Sequence, residues 1–227
     1  MRVVVSIGGS VLAPDLETDR VEQHAAAVDG LVRDGHEVAV VVGGGDIARE
    51  YIGTARALGA SEYDLDALGI DVTRLNARLL VAALDSSATP EPAETHEDAR
   101  ASLRRGEVAV MGGTVPGHTT DAVSAILAEM TGADLLVYAT SVPGVYSADP
   151  ETDDDAERFD RLDASELVDV ISSIETTAGS NAPVDILAAK IIERSGLRAV
   201  VLDGTDPGRI ADAVAGEVVG TEVSPDG

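Results

Sequence analysis

RVVVSIGGSVL (Arg2–Leu12) opens the chain with a nearly unbroken β-branched run that ends in Gly8-Gly9-Ser10. A run without polar alternation reads as a strand buried on both faces, the kind found in parallel sheets covered by helices. Val38–Val42 repeats the pattern before Gly43-Gly44-Gly45, and Val108–Met111 repeats it before Gly112-Gly113-Thr114. Working outward, Thr18–Asp34 carries apolar residues at Val21, Ala25, Val28 and Val32, a helical spacing that Gly35 stops. Ile47–Leu58, Glu97–Arg105, Asp121–Met130, Ala164–Ile171, Val184–Arg194 and Pro207–Val214 read as further helices, and Ser61–Leu84 as one or two, interrupted near Gly69. Leu135–Tyr138 and Ala199–Leu202 read as strands and Val142–Ser147 as a hairpin. Ser86–His96 and the acidic Asp153-Asp154-Asp155 read as loops, and Ser224–Gly227 as a frayed end. Strands alternating with helices predict one α/β domain over residues 1–227. The expected architecture is a three-layer α/β/α sandwich with a mostly parallel central sheet, with Gly112–Thr120 a candidate hinge.

Composition narrows the function. Of 227 residues, 41 are acidic and 16 are Lys or Arg, giving a net charge of −25, so no basic stripe is available for nucleic acid. Apolar residues make up 44%, too many for a disordered acidic chain. No apolar run nears the ~18 residues of a membrane span, and the N-terminus is a strand followed by glycines rather than a signal peptide. With no cysteine, thiolate metal sites, disulfides and cysteine nucleophiles are excluded. The expectation is a soluble, cytoplasmic protein. Lys190 is the single lysine, and this acidic, lysine-poor composition suits a protein kept soluble in concentrated salt, which screens its self-repulsion. A GC-rich genome is the alternative source of the Arg-for-Lys bias, though not of the −25.

Three strands ending in glycine clusters at one sheet edge point to phosphate. Glycine lets the backbone approach a ligand and aim its N–H groups at oxygens, and the following helix presents its positive end to the same anion. Neither G-x-x-x-x-G-K-[ST] nor an opening G-x-G-x-x-G is present, which argues against a P-loop NTPase and a dinucleotide fold. In so acidic a chain the anion must be held by backbone dipoles, a few arginines and a metal ion. Arg49, just after the triple glycine, suits that task, a solvated helix arginine being the alternative. Gly117-His118-Thr119-Thr120-Asp121 places hydroxyls and a carboxylate at a helix start, as caps or as ligand contacts. No Ser–His–Asp constellation emerges, and the four histidines show no metal-ligand spacing.

Taken together, IGGSVL (Ile7–Leu12), VVVGGGDIAREYI (Val40–Ile52), MGGTVPGHTTDAVSAILAE (Met111–Glu129), ADLLVYATSVPGVYSADP (Ala133–Pro150) and VDILAAKIIERSG (Val184–Gly196) resemble the amino-acid-kinase superfamily. Within it they are most similar to the archaeal-type uridylate (UMP) kinases. The resemblance implies an α/β/α sandwich that transfers the γ-phosphoryl group of ATP to UMP, with Mg²⁺, in a homohexamer. It implies an acceptor half over residues 1–125 and a donor half over 126–227. Gly44, Asp66, Thr114, Val115, Pro116, Gly117, His118, Thr119 and Thr120 match UMP-binding positions. Gly9, Ser10, Gly45, Arg49, Thr140, Tyr146 and Asp149 match ATP-binding positions. Asp66 has the acceptors for ribose hydroxyls, and Thr119 and Thr120 have the donors and acceptors for a uracil edge. Tyr146 is either a cover for adenine or a core tyrosine.

Phosphoryl transfer asks for positioning and charge neutralisation rather than a protein nucleophile. Arg49 and Asp121 are the expected catalytic residues. Asp121 would orient neighbouring basic or threonine side chains, or else be a plain helix-start carboxylate. One departure stands out: many superfamily members carry a lysine in the first strand, and Ser6 occupies its place here, leaving Arg49 and Lys190 as candidate cations. Two alternatives remain at this point. One is a kinase of the same scaffold acting on acetylglutamate, carbamate or isopentenyl phosphate; the other is a non-catalytic nucleotide- or oxyanion-binding protein.

Overall fold

The computed structural model describes residues 1–85, 88–148, 150, 153, 155–175 and 183–225. In chain order the elements are β1 (Arg2–Ile7), α1 (Gly9–Leu12), α2 (Thr18–Arg33), β2 (Glu37–Val42), α3 (Gly45–Ala57), α4 (Glu62–Ala83), α5 (His96–Arg104) and β3 (Ala109–Met111). They continue with α6 (Thr120–Thr131), β4 (Leu135–Thr140), β5 (Arg161–Asp163), α7 (Ala164–Glu175), α8 (Ile186–Ser195), β6 (Ala199–Asp203), α9 (Gly208–Ala215) and β7 (Gly220–Ser224).

The strands form one sheet in the order β3-β2-β1-β4-β6-β7-β5. β1 lies between β2 and β4, parallel to both, so the chain first builds outward on one side of β1 and then crosses to the other. That reversal of strand order is where open α/β sheets leave a crevice at their carboxyl ends. Alternate side chains feed two cores. Val3, Val5, Ile7, Val40 and Val137 face α2, α4 and α9, while Val4, Val41, Met111, Leu136 and Tyr138 face α5, α6, α7 and α8. The result is the expected three-layer α/β/α sandwich.

Three local expectations need correction. α4 runs unbroken through Gly69, because a capping box at Ser61 and Asp64 secures its start and one interior glycine costs only about 1 kcal/mol. A Cβ at Gly69 would lie 3.3 Å from Ile52 Cδ1, so this glycine gives α3 room to pack against α4. The segment Val142–Ser147 is not a hairpin. It pairs with a later stretch through the Tyr146–Arg158 bridge and Phe159 N–H to Val145 O at 2.9 Å. Ser224 is not frayed but paired with Asp163, in a strand antiparallel to β6. Both β5 and β7 are short and polar, without the apolar signature that marked the buried strands. Asp154, in the expected acidic loop, lies outside the described residues.

The turns after β1 and β2 touch backbone to backbone. A Cβ on Gly9 would lie 2.3 Å from Gly45 N and 2.5 Å from Gly43 O, and one on Gly45, at φ +64°, would lie 2.4 Å from Ser10 N. No side chain fits at either position. Gly9→Ala is therefore expected to destabilise the fold by about 2–3 kcal/mol in denaturant unfolding. Gly53→Ala, in the middle of α3 with open space around it, should be neutral or stabilising by about 0.5–1 kcal/mol. Equal effects of the two substitutions would contradict the close contact.

Candidate active site

Extending the ladders, Gly8 N–H donates to Ala139 O at 3.0 Å and Gly43 N–H to Ile7 O at 2.8 Å, which locks the first residue of each turn to the neighbouring strand. The next amides are left over. Among the described residues, the N–H groups of Gly9, Ser10, Gly44 and Gly45 find no protein acceptor. Four unsatisfied donors from two touching turns, each leading into a helix, form an anion cradle made of backbone.

Two clefts open on this cradle. The larger, about 540 Å³, includes Gly8, Ser10, Arg49, Asp121, Thr140 and Tyr146 in its walls. The second, about 400 Å³, includes Gly44, Gly45, Asp66, Gly117, His118, Thr119 and Thr120. Arg49 lines both. It stands on the first turns of α3, paired with Asp46 at 2.5 Å and two-thirds exposed, so its head is free to swing to a ligand on either side. A larger cavity of about 1000 Å³, bordered by Leu16, Val21 and Leu79, lies between α2 and α4 away from the glycine turns.

Most residues singled out in the sequence converge here. Of the donor set, Ser10, Arg49, Thr140 and Tyr146 line the larger cleft, Gly9 sits in the cradle, and Gly45 borders the second cleft. Tyr146 is half-buried at the cleft wall, and the core tyrosine is Tyr138 instead. Asp149 lies outside the described residues. Of the acceptor set, Thr114, Val115 and Pro116 stand back from the cleft wall. Val115 is exposed, and Thr114 Oγ1 is buried with no hydrogen-bond partner among the described residues. Asp66 already has a protein partner: it accepts Gly117 N–H at 2.8 Å, and so ties α4 to the loop before α6. Ser6 is buried within β1, and Lys190 is exposed on α8 and lines neither cleft, which leaves Arg49 as the cation common to both.

Sequence reasoning missed Asp185 and Thr73. Asp185 caps α8 by accepting Ala188 N–H at 2.9 Å, and its other oxygen accepts the hydroxyl of Thr119, itself the cap of α6. Two helix starts thus meet through their caps. The sequence reading places Asp185 inside the helix Val184–Arg194 rather than at its cap, and nothing in the sequence shows that the α6 and α8 caps touch. Thr73, buried on α4, accepts Gly113 N–H at 2.6 Å and holds the third glycine turn.

Asp121 shares this corner. Burial, and next the charge of Asp185, push its carboxyl up to about 7, against the pull of the Asp185 backbone N–H. Tyr138, fully buried, donates its hydroxyl to Asp121 O at 3.0 Å, and burial with the same two carboxyls raises its own pKa. Among the described residues no three His, Cys, Asp or Glu side chains gather in a metal-holding group, and no helix is long and apolar enough to cross a membrane.

A seven-stranded sheet with a two-cleft cradle at its carboxyl edge defines a class. The model of the amino acid kinase family matches residues 1–203. The chain is 81% identical over 225 residues to a uridylate kinase of Natronomonas pharaonis, covering 99% of each chain. It is 67% identical to one of Halobacterium salinarum, covering all of this chain and 95% of that one. The crystal structure of uridylate kinase from Archaeoglobus fulgidus superposes with a TM-score of 0.90 at 47% identity, covering 99% of this chain and all of that one. The chain belongs to the amino acid kinase family, and within it to the archaeal uridylate kinases. Its two relatives named above come from halophiles, in keeping with the acidic, lysine-poor composition.

The pKa of Asp121 gives a stability test. A carboxyl ordinarily at 3.8 and held near 7 in the fold keeps a proton that the unfolded chain has lost, so its contribution declines as pH rises from about 4 to 7. Asp121→Asn is therefore expected to raise Tm at pH 8, the gain shrinking steadily toward pH 4. A pH-independent difference would mean that Asp121 titrates normally.

Proposed function

We propose that the chain transfers the γ-phosphoryl group of ATP to UMP, giving UDP and ADP, with ATP in the larger cleft and UMP in the second. The observation that carries this reading is the junction: two clefts share one backbone cradle and one arginine. Its support beyond geometry is the high identity to uridylate kinases over the whole chain.

In this reading a phosphate oxygen of UMP attacks the γ-phosphorus in line. A new P–O bond forms as the bond to the β–γ bridging oxygen breaks, and ADP leaves with that oxygen. No protein nucleophile is needed. The amides of Gly9, Ser10, Gly44 and Gly45 and the Arg49 guanidinium are fixed donors for charge on the group in flight. Thr119 and Thr120 face the base of the acceptor, Asp66 its ribose, and Tyr146 the adenine. Asp121 acts as a positioning group through Asp185 and Thr119, which tie the two helix starts together. The acceptor cleft is built wholly from the first half of the chain, whereas the donor cleft draws Gly8, Ser10, Arg49 and Asp121 from that half and Thr140 and Tyr146 from the second.

Mg²⁺ binds hard oxygen ligands, keeps much of its water and rides on nucleotide phosphates with few protein ligands. The donor cleft fits such an ion: it offers the hydroxyls of Ser10 and Thr140 to an ion held by the ATP phosphates. When bound, Mg²⁺ neutralises charge across the β- and γ-phosphates. A homohexamer is the assembly this reading carries, and Leu16, Leu75 and Leu79, each 40% exposed or more, offer apolar area for subunit contact. The cytoplasm, which supplies both nucleotides, is the implied compartment.

The direct test is UDP formation from UMP and Mg-ATP in molar KCl, with CMP, acetylglutamate, carbamate and isopentenyl phosphate as competing acceptors. UMP should be preferred, and no UDP at any salt concentration would refute the activity. Arg49→Ala should lower kcat/KM by about 100-fold, roughly 2.7 kcal/mol, for both substrates because it faces both clefts. Asp66→Ala should raise KM for UMP while leaving KM for ATP nearly unchanged. The reverse pattern would exchange the two clefts. Light scattering gives the assembly size, and a monomer would remove the hexamer.

A further inference from the structure

The cradle turn after β2 is held from behind by a side chain that neither the sequence reading nor the activity accounts for. Asn76, on α4 and 3% exposed, donates its amide to two successive carbonyls, Gly43 O at 2.9 Å and Gly44 O at 3.1 Å. Both protons of one side-chain amide are thus committed to adjacent peptide units. A trans peptide is planar, with its N–H opposite its C=O. Pinning the Gly43 and Gly44 carbonyls toward α4 therefore turns the Gly44 and Gly45 N–H groups away from it. Gly45 N is the atom that a Cβ on Gly9 would strike at 2.3 Å, so this side faces the first glycine turn.

The backbone angles agree. Gly44 is right-handed (φ −83°, ψ −33°) and Gly45 left-handed (φ +64°), an alternation that makes successive N–H groups converge in a concave anion nest. Beyond the ladder bond from Gly43 N–H to Ile7 O and the packing against Gly9, little else fixes the two peptide planes. Two glycines have wide conformational freedom, and the helical bond from Ala48 N–H to Gly44 O is long, at 3.4 Å.

We infer that Asn76 is a positioning residue for phosphoryl transfer: its buried amide sets the two peptide planes of the Gly43–Gly45 turn, and with them the N–H donors shared by both clefts. This deepens the proposed reading and rests on it for the reaction, though not for the geometry. Asn76 is buried and lines neither cleft, so it acts through the turn. Its effect belongs in kcat, because a turn free to rotate still binds nucleotides through the rest of each cleft but misplaces donors around the group in flight.

The experiment compares Asn76→Ala and Asn76→Asp with wild type, active sites being counted by calorimetric ATP binding. Asp keeps the shape but presents oxygen to two carbonyls. Both substitutions should lower kcat per binding-competent site by about 100-fold, with KM for each substrate changing less than about fivefold. Asn76→Gln, which keeps the donor on a longer arm, should restore part of the loss. A kcat within about threefold of wild type in the alanine variant, whatever its Tm, would overturn the inference. Should neither variant fold, hydrogen exchange of the Asn76 side-chain amide in the wild-type protein decides. Exchange as slow as that of core backbone amides supports the clamp, and exchange at surface rates refutes it. If wild type makes no UDP, the activity fails but this exchange measurement still reads the clamp.

Discussion

Everything in this molecule that bears on anions depends on two peptide turns meeting without side chains between them. Gly9 and Gly45 lie so close that a methyl group on either would come within 2.3–2.4 Å of backbone nitrogen in the facing turn, well inside van der Waals contact distance. The contact follows from the sheet, since β1 and β2 are in-register parallel neighbours and their turns leave the same edge at the same height. The first amide of each turn is used to extend the ladder, and the following ones are left for a ligand. The sheet thus brings the two turns together, glycine lets them touch, and the Asn76 amide bonds the carbonyls behind the second.

The same economy answers the charge problem. A chain carrying −25 has to hold phosphates with very few cations, and peptide dipoles supply donors that leave the net charge unchanged. At the wall of the larger cleft one carboxyl is pushed toward its neutral form: burial and the charge of Asp185 raise Asp121 to about 7. A first-strand lysine would have brought a full charge to this place, where Ser6 lies buried instead. Arg49, bordering both clefts, is the cation that remains.

How much of this was legible beforehand follows from what kind of interaction each part rests on. The buried strands declared themselves because a doubly covered strand has no polar alternation, and the glycine clusters because they end such strands. The short strands Arg161–Asp163 and Gly220–Ser224 carry polar residues at a sheet margin and give no apolar signal. Gly69 misled because a glycine that makes room for a packed helix looks like one that ends its own. The clefts were readable from motifs, and most motif residues line them. The residues that brace them were not. Asp185, Thr73 and Asn76 each hold backbone or a cap far away in sequence, and an amide or hydroxyl on a helix carries no local sign of which carbonyl it will meet.

The shared arginine has a thermodynamic corollary. Arg49 is largely solvated and, among the described residues, tethered only to Asp46, so fixing its side chain carries a rotamer-entropy cost. Under the proposed function whichever nucleotide arrives first orders the guanidinium, and the second meets a group already immobilised. The two binding events are then synergistic by reciprocal linkage, with no subunit rotation or lid required. Affinities measured one nucleotide at a time would understate the ternary complex, and the coupling would reside in the disorder of a single side chain.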